Sequence, residues 1–281
     1  MKNQLPRLVS TILLLCAALA CAAPASTSAF AQDWAKTILD KSPRHQEWVK
    51  VKYGTGTNAR TVDAFPVYPE VSHKAPVVLL IHEIFGLSDW ARSMADDIAA
   101  MGYIVIAPDL LSGAGPNGGG TSAFPDTQAA VKAVSGLNAD TVTTDLNATA
   151  GYALKFPAAN GKLAVIGFCW GGGKSFLFAT ERKNLSAAFV FYGSPPPNDS
   201  LAGITAPVYG FYAGNDARIS STVPDTKTAM AAASKKYDPV VYDGAGHGFM
   251  RAGEDPSNTN PANTTARTEA LKRLESLLKG M

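Results

Sequence analysis

From Pro76 onward the chain switches repeatedly between two hydrophobic periods, and few architectures accommodate that. PVVLLIH, YIVIAPD, KLAVIG, SAAFVFYG and PVYGFYAG are short continuous apolar runs, the pattern of strands buried on both faces, and PVVYDG is a shorter one. Segments with helical spacing lie between them: SDWARSMADDIAAMGY, opened by Ser88 or Asp89 as a cap, TVTTDLNATAGYALKF, a stretch from about Gly172, VPDTKTAMAAASKKYD, and a closing helix from about Pro261 to Lys279. Strands alternating with helices predict an α/β fold with a mostly parallel central sheet covered by helices on both faces. Active sites in such sheets gather at the carboxyl ends of the strands. Ahead of this pattern, EWVKVKYG and RTVDAFPVYP read as leading strands in a hairpin-like arrangement.

The first 31 residues differ from the rest. Lys2 and Arg7 precede the apolar run VSTILLLCAALACAA, and AFAQ offers Ala29-x-Ala31, the three-part pattern of a signal peptide cleaved after Ala31. Residues 32–281 are then a single domain, secreted or periplasmic. Two competing readings of the leader are a membrane anchor, for which the run is short and lacks a basic stop, and lipidation at Cys21. Removal of the leader changes two balances. The 25 basic residues lose Lys2 and Arg7 and so equal the 23 acidic ones, which suggests no nucleic-acid partner. Of three cysteines, Cys16 and Cys21 depart, so Cys169 remains as one thiol and a disulfide framework is excluded. No second apolar segment is long enough to span a bilayer, so no membrane partner is expected of the mature chain.

Gly167-Phe168-Cys169-Trp170-Gly171 follows the strand KLAVIG and precedes a helix, the setting of a G-x-nucleophile-x-G elbow with sulfur in place of oxygen. A helix amino terminus beneath the sulfur favours the thiolate, and the Trp170 amide points where an oxyanion forms. The competing reading is a small buried structural cysteine. Among four histidines, His247 in YDGAGHGFM lies between the last strand and the last helix, the place for a base. His45 and His73 read as surface residues, and His82 as a packing or hydrogen-bonding residue at a strand end. Chain order places the orienting acid between nucleophile and histidine. Asp216 in YGFYAGNDARI follows an apolar strand there, whereas Asp225 opens a helix and Asp238 precedes Pro239 at a helix end. Capping the next turn is the alternative role for Asp216. Glu83 in LLIHEIFGL sits in the loop that supplies the second oxyanion amide, from Ile84. HEIFG is no zinc motif, because Gly86 stands where a second histidine is required; no metal and no cofactor are expected.

With HEIFGL, GFCWGGG, GNDARI and GAGHGFMR in this order, the chain resembles the dienelactone hydrolase family of α/β-hydrolases over roughly residues 51–279. The resemblance implies a Cys169, Asp216, His247 triad. It implies that Glu83 interacts with the thiol, that Arg251 is perturbed by a substrate carboxylate so that Glu83 moves and the thiolate forms only with substrate bound, and that Tyr192 belongs to the pocket. The chain departs from the family in the stretch DLLSGAGPNGGGTSAFPD, where a further carboxylate-holding arginine is usual and no basic residue occurs, and in Gly248, where serine is common. Residues 113–126 read either as a solvated loop or as a rim that shapes a pocket.

Together these readings lead to an exported cysteine hydrolase of a small-molecule ester or lactone, its substrate carboxylate-bearing and the protein a monomer. The rivals are a non-catalytic ligand-binding member of the fold and a cysteine acyltransferase or peptidase.

Overall fold

The computed structural model describes residue 1 and residues 32–281; residues 2–31 of the assigned leader, with Cys16, Cys21 and the Ala31 cleavage site, lie outside the described residues. Its elements are α1 (Asp33–Lys41), β1 (Val49–Tyr53), β2 (Arg60–Val67), β3 (Ala75–Ile81), α2 (Asp89–Ala100), β4 (Ile104–Pro108), α3 (Thr127–Ser135), α4 (Ala139–Ala153), β5 (Ala159–Phe168), α5 (Trp170–Glu181), β6 (Ala187–Phe191), β7 (Val208–Ala213), α6 (Ala217–Ser220), α7 (Val223–Ala232), β8 (Tyr237–Tyr242), α8 (Phe249–Ala252) and α9 (Pro261–Leu278). The eight strands form one sheet in the order β1-β2-β4-β3-β5-β6-β7-β8. Pairing is antiparallel for β1 with β2 and β2 with β4, and parallel from β4 to β8.

The continuous apolar runs are explained by burial on both faces. Along β3, Val78 and Leu80 join the cluster beneath α1, α2 and α9, while Val77, Leu79 and Ile81 join the one beneath α4, α5 and α7. Neighbouring strand residues point to opposite faces, so each face receives every second side chain. Leu79 and Leu80 are both fully buried, and burying one leucine side chain contributes roughly 1.5–3 kcal/mol.

Local chemistry sets the helix starts. Ser88 caps α2 by accepting from the Ala91 amide, Asp126 caps α3, Asn138 caps α4, and Asn260 precedes Pro261 at the start of α9. The hairpin β1–β2 is tied to α4 through Asp145, which accepts from Arg60 at 2.7 and 2.6 Å and from the Tyr53 hydroxyl.

The connection after β3 leads to β4 on one side, whereas β5 lies on the other. That reversal opens a crevice at the carboxyl ends of β3 and β5, and the segments carrying Glu83 and Cys169 emerge there. One sequence expectation is corrected. Asp238 lies within β8 rather than at a helix end, because α7 stops at Ala232 and the chain turns through Ser234 at φ 57°. None of residues 113–126 lines the cavity beside Cys169; Gly120 and Ser122 line a separate pocket with Trp48, Lys50 and Asp63.

Candidate active site

Strand β5 ends at Phe168, and Cys169 is held at φ 55°, ψ −117° before α5 begins. Such a conformation costs a non-glycine residue about 1–3 kcal/mol and persists only when its surroundings impose it. They do so here. The Cys169 amide donates to the Phe191 carbonyl at the end of β6 (3.0 Å), and the Cys169 carbonyl accepts from Gly173 (3.2 Å). A Cβ on Gly167 would lie 1.9 Å from the Gly171 oxygen, and one on Gly171 would lie 2.3 Å from the His82 oxygen. Only glycine lets strand, helix and the β3 loop come this close.

The bend leaves the sulfur half-buried and within reach of an imidazole. His247 Nε2 is 3.1 Å from Cys169 Sγ, and His247 Nδ1 is 2.5 Å from Asp216 Oδ2. Asp216 follows β7 at the start of α6, but its side chain caps no helix; it is buried against the imidazole instead. With Nδ1–H donating to that carboxylate, Nε2 is left facing the sulfur. The histidine loop is fixed by the Gly246 amide, which donates to Asn263 Oδ1 on α9 (2.8 Å), and by Gly248 at φ 75°.

Glu83 is buried behind this line. Its Oε2 accepts from Arg251 Nε (2.9 Å) and its Oε1 from the Tyr192 hydroxyl (3.3 Å). Burial pushes the Glu83 carboxyl above the usual carboxylate range, and the Arg251 guanidinium pulls it back. Burial likewise raises the Cys169 thiol, and the neighbouring Glu83 charge raises it further. The backbone N–H groups of Trp170 and Ile84 both act on the sulfur in the opposite sense, as does Arg218. Two amides converging beside a nucleophile form the geometry of an oxyanion hole. Tyr192 is fully buried at φ 39°, its ring edge-on to His247 at 5.1 Å, and burial drives its phenol well above its ordinary value.

The sequence-assigned residues Cys169, His247, Asp216, Glu83, Ile84, Trp170, Tyr192 and Arg251 thus fall in one neighbourhood. Arg251 differs in its orientation: it bonds Glu83, lies over the Phe85 ring at 4.9 Å, and lines no part of the cavity beside the sulfur. His82 Nδ1–H donates to the Glu83 carbonyl (2.7 Å) and the ring stacks on Trp170, a packing role. His45 and His73 are exposed.

A cavity of about 490 Å³ adjoins the sulfur. Its wall is mostly apolar, with Ile84, Trp170, Leu177, Ile219 and prolines 195–197, and its cations are Lys174 and Arg218. Sequence reading did not single out either cation, although each carries a signal. Lys174 stands four residues after Trp170 and so shares its helix face; Arg218 stands two residues after Asp216. Nor did it find the relay that fixes the oxyanion loop. Asp109 accepts from the Thr121 amide and hydroxyl (both 2.7 Å), and the Thr121 hydroxyl oxygen accepts from the Leu87 amide (3.0 Å). The glycine-rich loop is thereby fastened to the segment after β3. No group of metal-ligating side chains occurs among the described residues.

Comparison with known proteins bears on the family. A Salmonella typhi protein named "Putative carboxymethylenebutenolidase" is 34% identical over 204 residues, covering 66% of this chain and 74% of its own length. A Bradyrhizobium sp. protein named "Probable 2-oxo-3-(5-oxofuran-2-ylidene)propanoate lactonase" is 28% identical, covering 72% and 83%. The crystal structure described as "Putative Dienelactone Hydrolase" from Klebsiella pneumoniae superposes with a TM-score of 0.67 at 26% identity, covering 82% of this chain and 97% of the other. The family model for dienelactone hydrolases matches residues 62–281. That span takes in β3 to α9 and every residue gathered around Cys169, and the chain belongs to the dienelactone hydrolase family.

Proposed function

We propose that this chain is an exported hydrolase of esters or lactones in which Cys169 is the nucleophile, His247 the base, Asp216 its orienting acid, and a thioester the intermediate. The observation that carries the reading is the continuous line from sulfur to imidazole to carboxylate, 3.1 and 2.5 Å long. The relatives' names, a carboxymethylenebutenolidase and a lactonase, support the substrate class.

In the acylation step His247 Nε2 takes the thiol proton, and the sulfur forms a bond to the substrate carbonyl carbon. The oxygen of the tetrahedral adduct takes the negative charge and receives hydrogen bonds from the Ile84 and Trp170 amides, each such donor being worth roughly 3 kcal/mol of barrier. Collapse breaks the carbon–oxygen bond, and the leaving oxygen takes the proton from His247. Water then attacks the thioester carbonyl while His247 accepts a proton from it; the carbon–sulfur bond breaks, the acid departs, and the thiol is restored. In a lactone the leaving oxygen stays attached to the acyl chain, so one product results.

Glu83 gives the resting site its restraint. A buried negative charge beside the sulfur disfavours the thiolate, the form that reacts and oxidises. Arg251, bonded to Glu83 and partly exposed, holds that charge in place until substrate binding disturbs the pair. This restraint suits a lone thiol outside the cytoplasm, where residues 1–31 would direct the chain.

Hydrolysis of a panel of 4-nitrophenyl esters and small lactones, with mass spectrometry of the trapped acyl-enzyme, tests the reading. Turnover lost in Cys169→Ala and an acyl group on Cys169 are expected. Turnover that survives Cys169→Ala, or product that favours an added acceptor over water, overturns it.

A further inference from the structure

The cavity beside Cys169 is apolar over most of its wall, yet two cationic side chains reach into its lining without an acidic partner. Among the described residues six arginines form ion pairs with carboxylates, and Arg182 bonds two asparagines. Arg218 has neither an ion pair nor a hydrogen bond, and it faces the cavity. Its effect on the thiol shows that its charge is felt at the sulfur. Lys174 lies on α5, its ammonium 5.2 Å from the centre of the Trp170 ring and likewise without a carboxylate among the described residues.

A helix-end role does not account for Arg218. Helix α6 has four residues, too short for a useful dipole. The sequence had left anion recognition to Arg251, but that guanidinium is bonded to Glu83 and lines no part of this cavity, and residues 113–126 carry no basic side chain. A planar guanidinium at a cavity mouth is the side chain best shaped to meet a carboxylate with two parallel hydrogen bonds. Partial exposure keeps it solvated until such a ligand arrives.

We propose that Arg218, with Lys174 of the same cavity lining, forms the subsite that binds a carboxylate on the substrate while the scissile carbonyl rests against Cys169. This inference rests on the reading of Cys169 as the nucleophile and names the specificity of the same site. The preferred substrate therefore has an apolar body that fills the wall of Ile84, Leu177 and the prolines, and an anionic end directed at α6.

Two measurements decide it. The first is the ratio of kcat/KM for mono-4-nitrophenyl glutarate to that for 4-nitrophenyl valerate, esters of equal chain length that differ in one carboxylate. In Arg218→Gln this ratio is expected to fall about tenfold or more, whereas Arg218→Lys, which keeps the charge but not the paired donors, retains only part of it and Lys174→Gln lowers it less. A ratio unchanged by Arg218→Gln overturns the subsite. The second is calorimetric binding of glutarate to the Cys169→Ala chain, which requires no turnover. Binding weakened about tenfold by Arg218→Gln supports the subsite, and equal or undetectable binding in both chains overturns it. Wild-type protein that turns over neither ester counts against the catalytic reading alone, since glutarate binding still decides the fate of Arg218.

Discussion

The run Gly171-Gly172-Gly173 gives a demanding test of the geometry, because the same substitution is expected to have opposite signs at adjacent residues. All three lie in the first turn of α5. A Cβ on Gly173 meets the Ser194 oxygen at 3.4 Å, ordinary contact, so Gly173→Ala is expected to gain the helix propensity of alanine, about 0.5–1 kcal/mol. A Cβ on Gly172 lies 2.4 Å from the Phe191 oxygen, so α5 and the end of β6 must part by about 1 Å. Overpacking of this kind costs about 1–3 kcal/mol, and rigid backbone on both sides places it at the upper end. In a domain of this size each kcal/mol moves Tm by roughly 2–4 °C, so the two variants should be separated by roughly 5–15 °C. Activity follows a second path. The Phe191 oxygen that Gly172→Ala displaces is the acceptor for the Cys169 amide, and a 1 Å misplacement of a reacting group costs about 100-fold in rate. Thermal unfolding monitored by circular dichroism, with kcat/KM on one ester, reads both effects. Equal Tm values for Gly172→Ala and Gly173→Ala would refute the account of how the elbow is packed.

The other expectations are briefer. Asp216→Asn should leave the fold standing but present the wrong imidazole tautomer, lowering kcat by about 10³–10⁴, as read in steady-state ester hydrolysis. Glu83→Gln removes a negative charge that holds the Cys169 thiol up, so the pH profile of iodoacetamide alkylation should move to lower pH and the rate at neutral pH should rise; an unmoved profile would remove Glu83 from the control of the thiol. Asp97 is raised to about 6, first by burial and then by Glu254, against the pull of Arg267. The folded chain then holds a proton that the unfolded chain has lost above its own, lower pKa, so this group's stabilising contribution is present at low pH and disappears as pH rises from about 4 to 6. Asp97→Asn should flatten urea-unfolding stability across that window by about 1 kcal/mol, after discounting for a side chain 30% exposed.

The architecture was legible because burial on both faces writes continuous apolar runs, and parallel sheets leave no other place for them. Cys169, Asp216 and His247 were legible because glycines and chain order mark them independently of neighbouring side chains. The short elements α6 and α8, of four residues each, were not, since a single turn carries no period. Asp238 was misassigned because Pro239 reads as a break, yet it sits on β8, whose outer side carries no partner strand and demands no donor. Arg251, Arg218 and Lys174 show a deeper limit. A cation's spacing says that it comes near the site, but whether it is bonded to Glu83 or left facing the cavity depends on loops that only the folded chain brings together.

The bond from Gly246 to Asn263 has a consequence for biosynthesis. The loop bearing the imidazole leans on α9, so His247 takes its supported place beside Cys169 only after that helix has been made and docked. A chain released early, or clipped ahead of residue 263, would display its elbow and its sulfur but lack the bond that steadies the histidine loop.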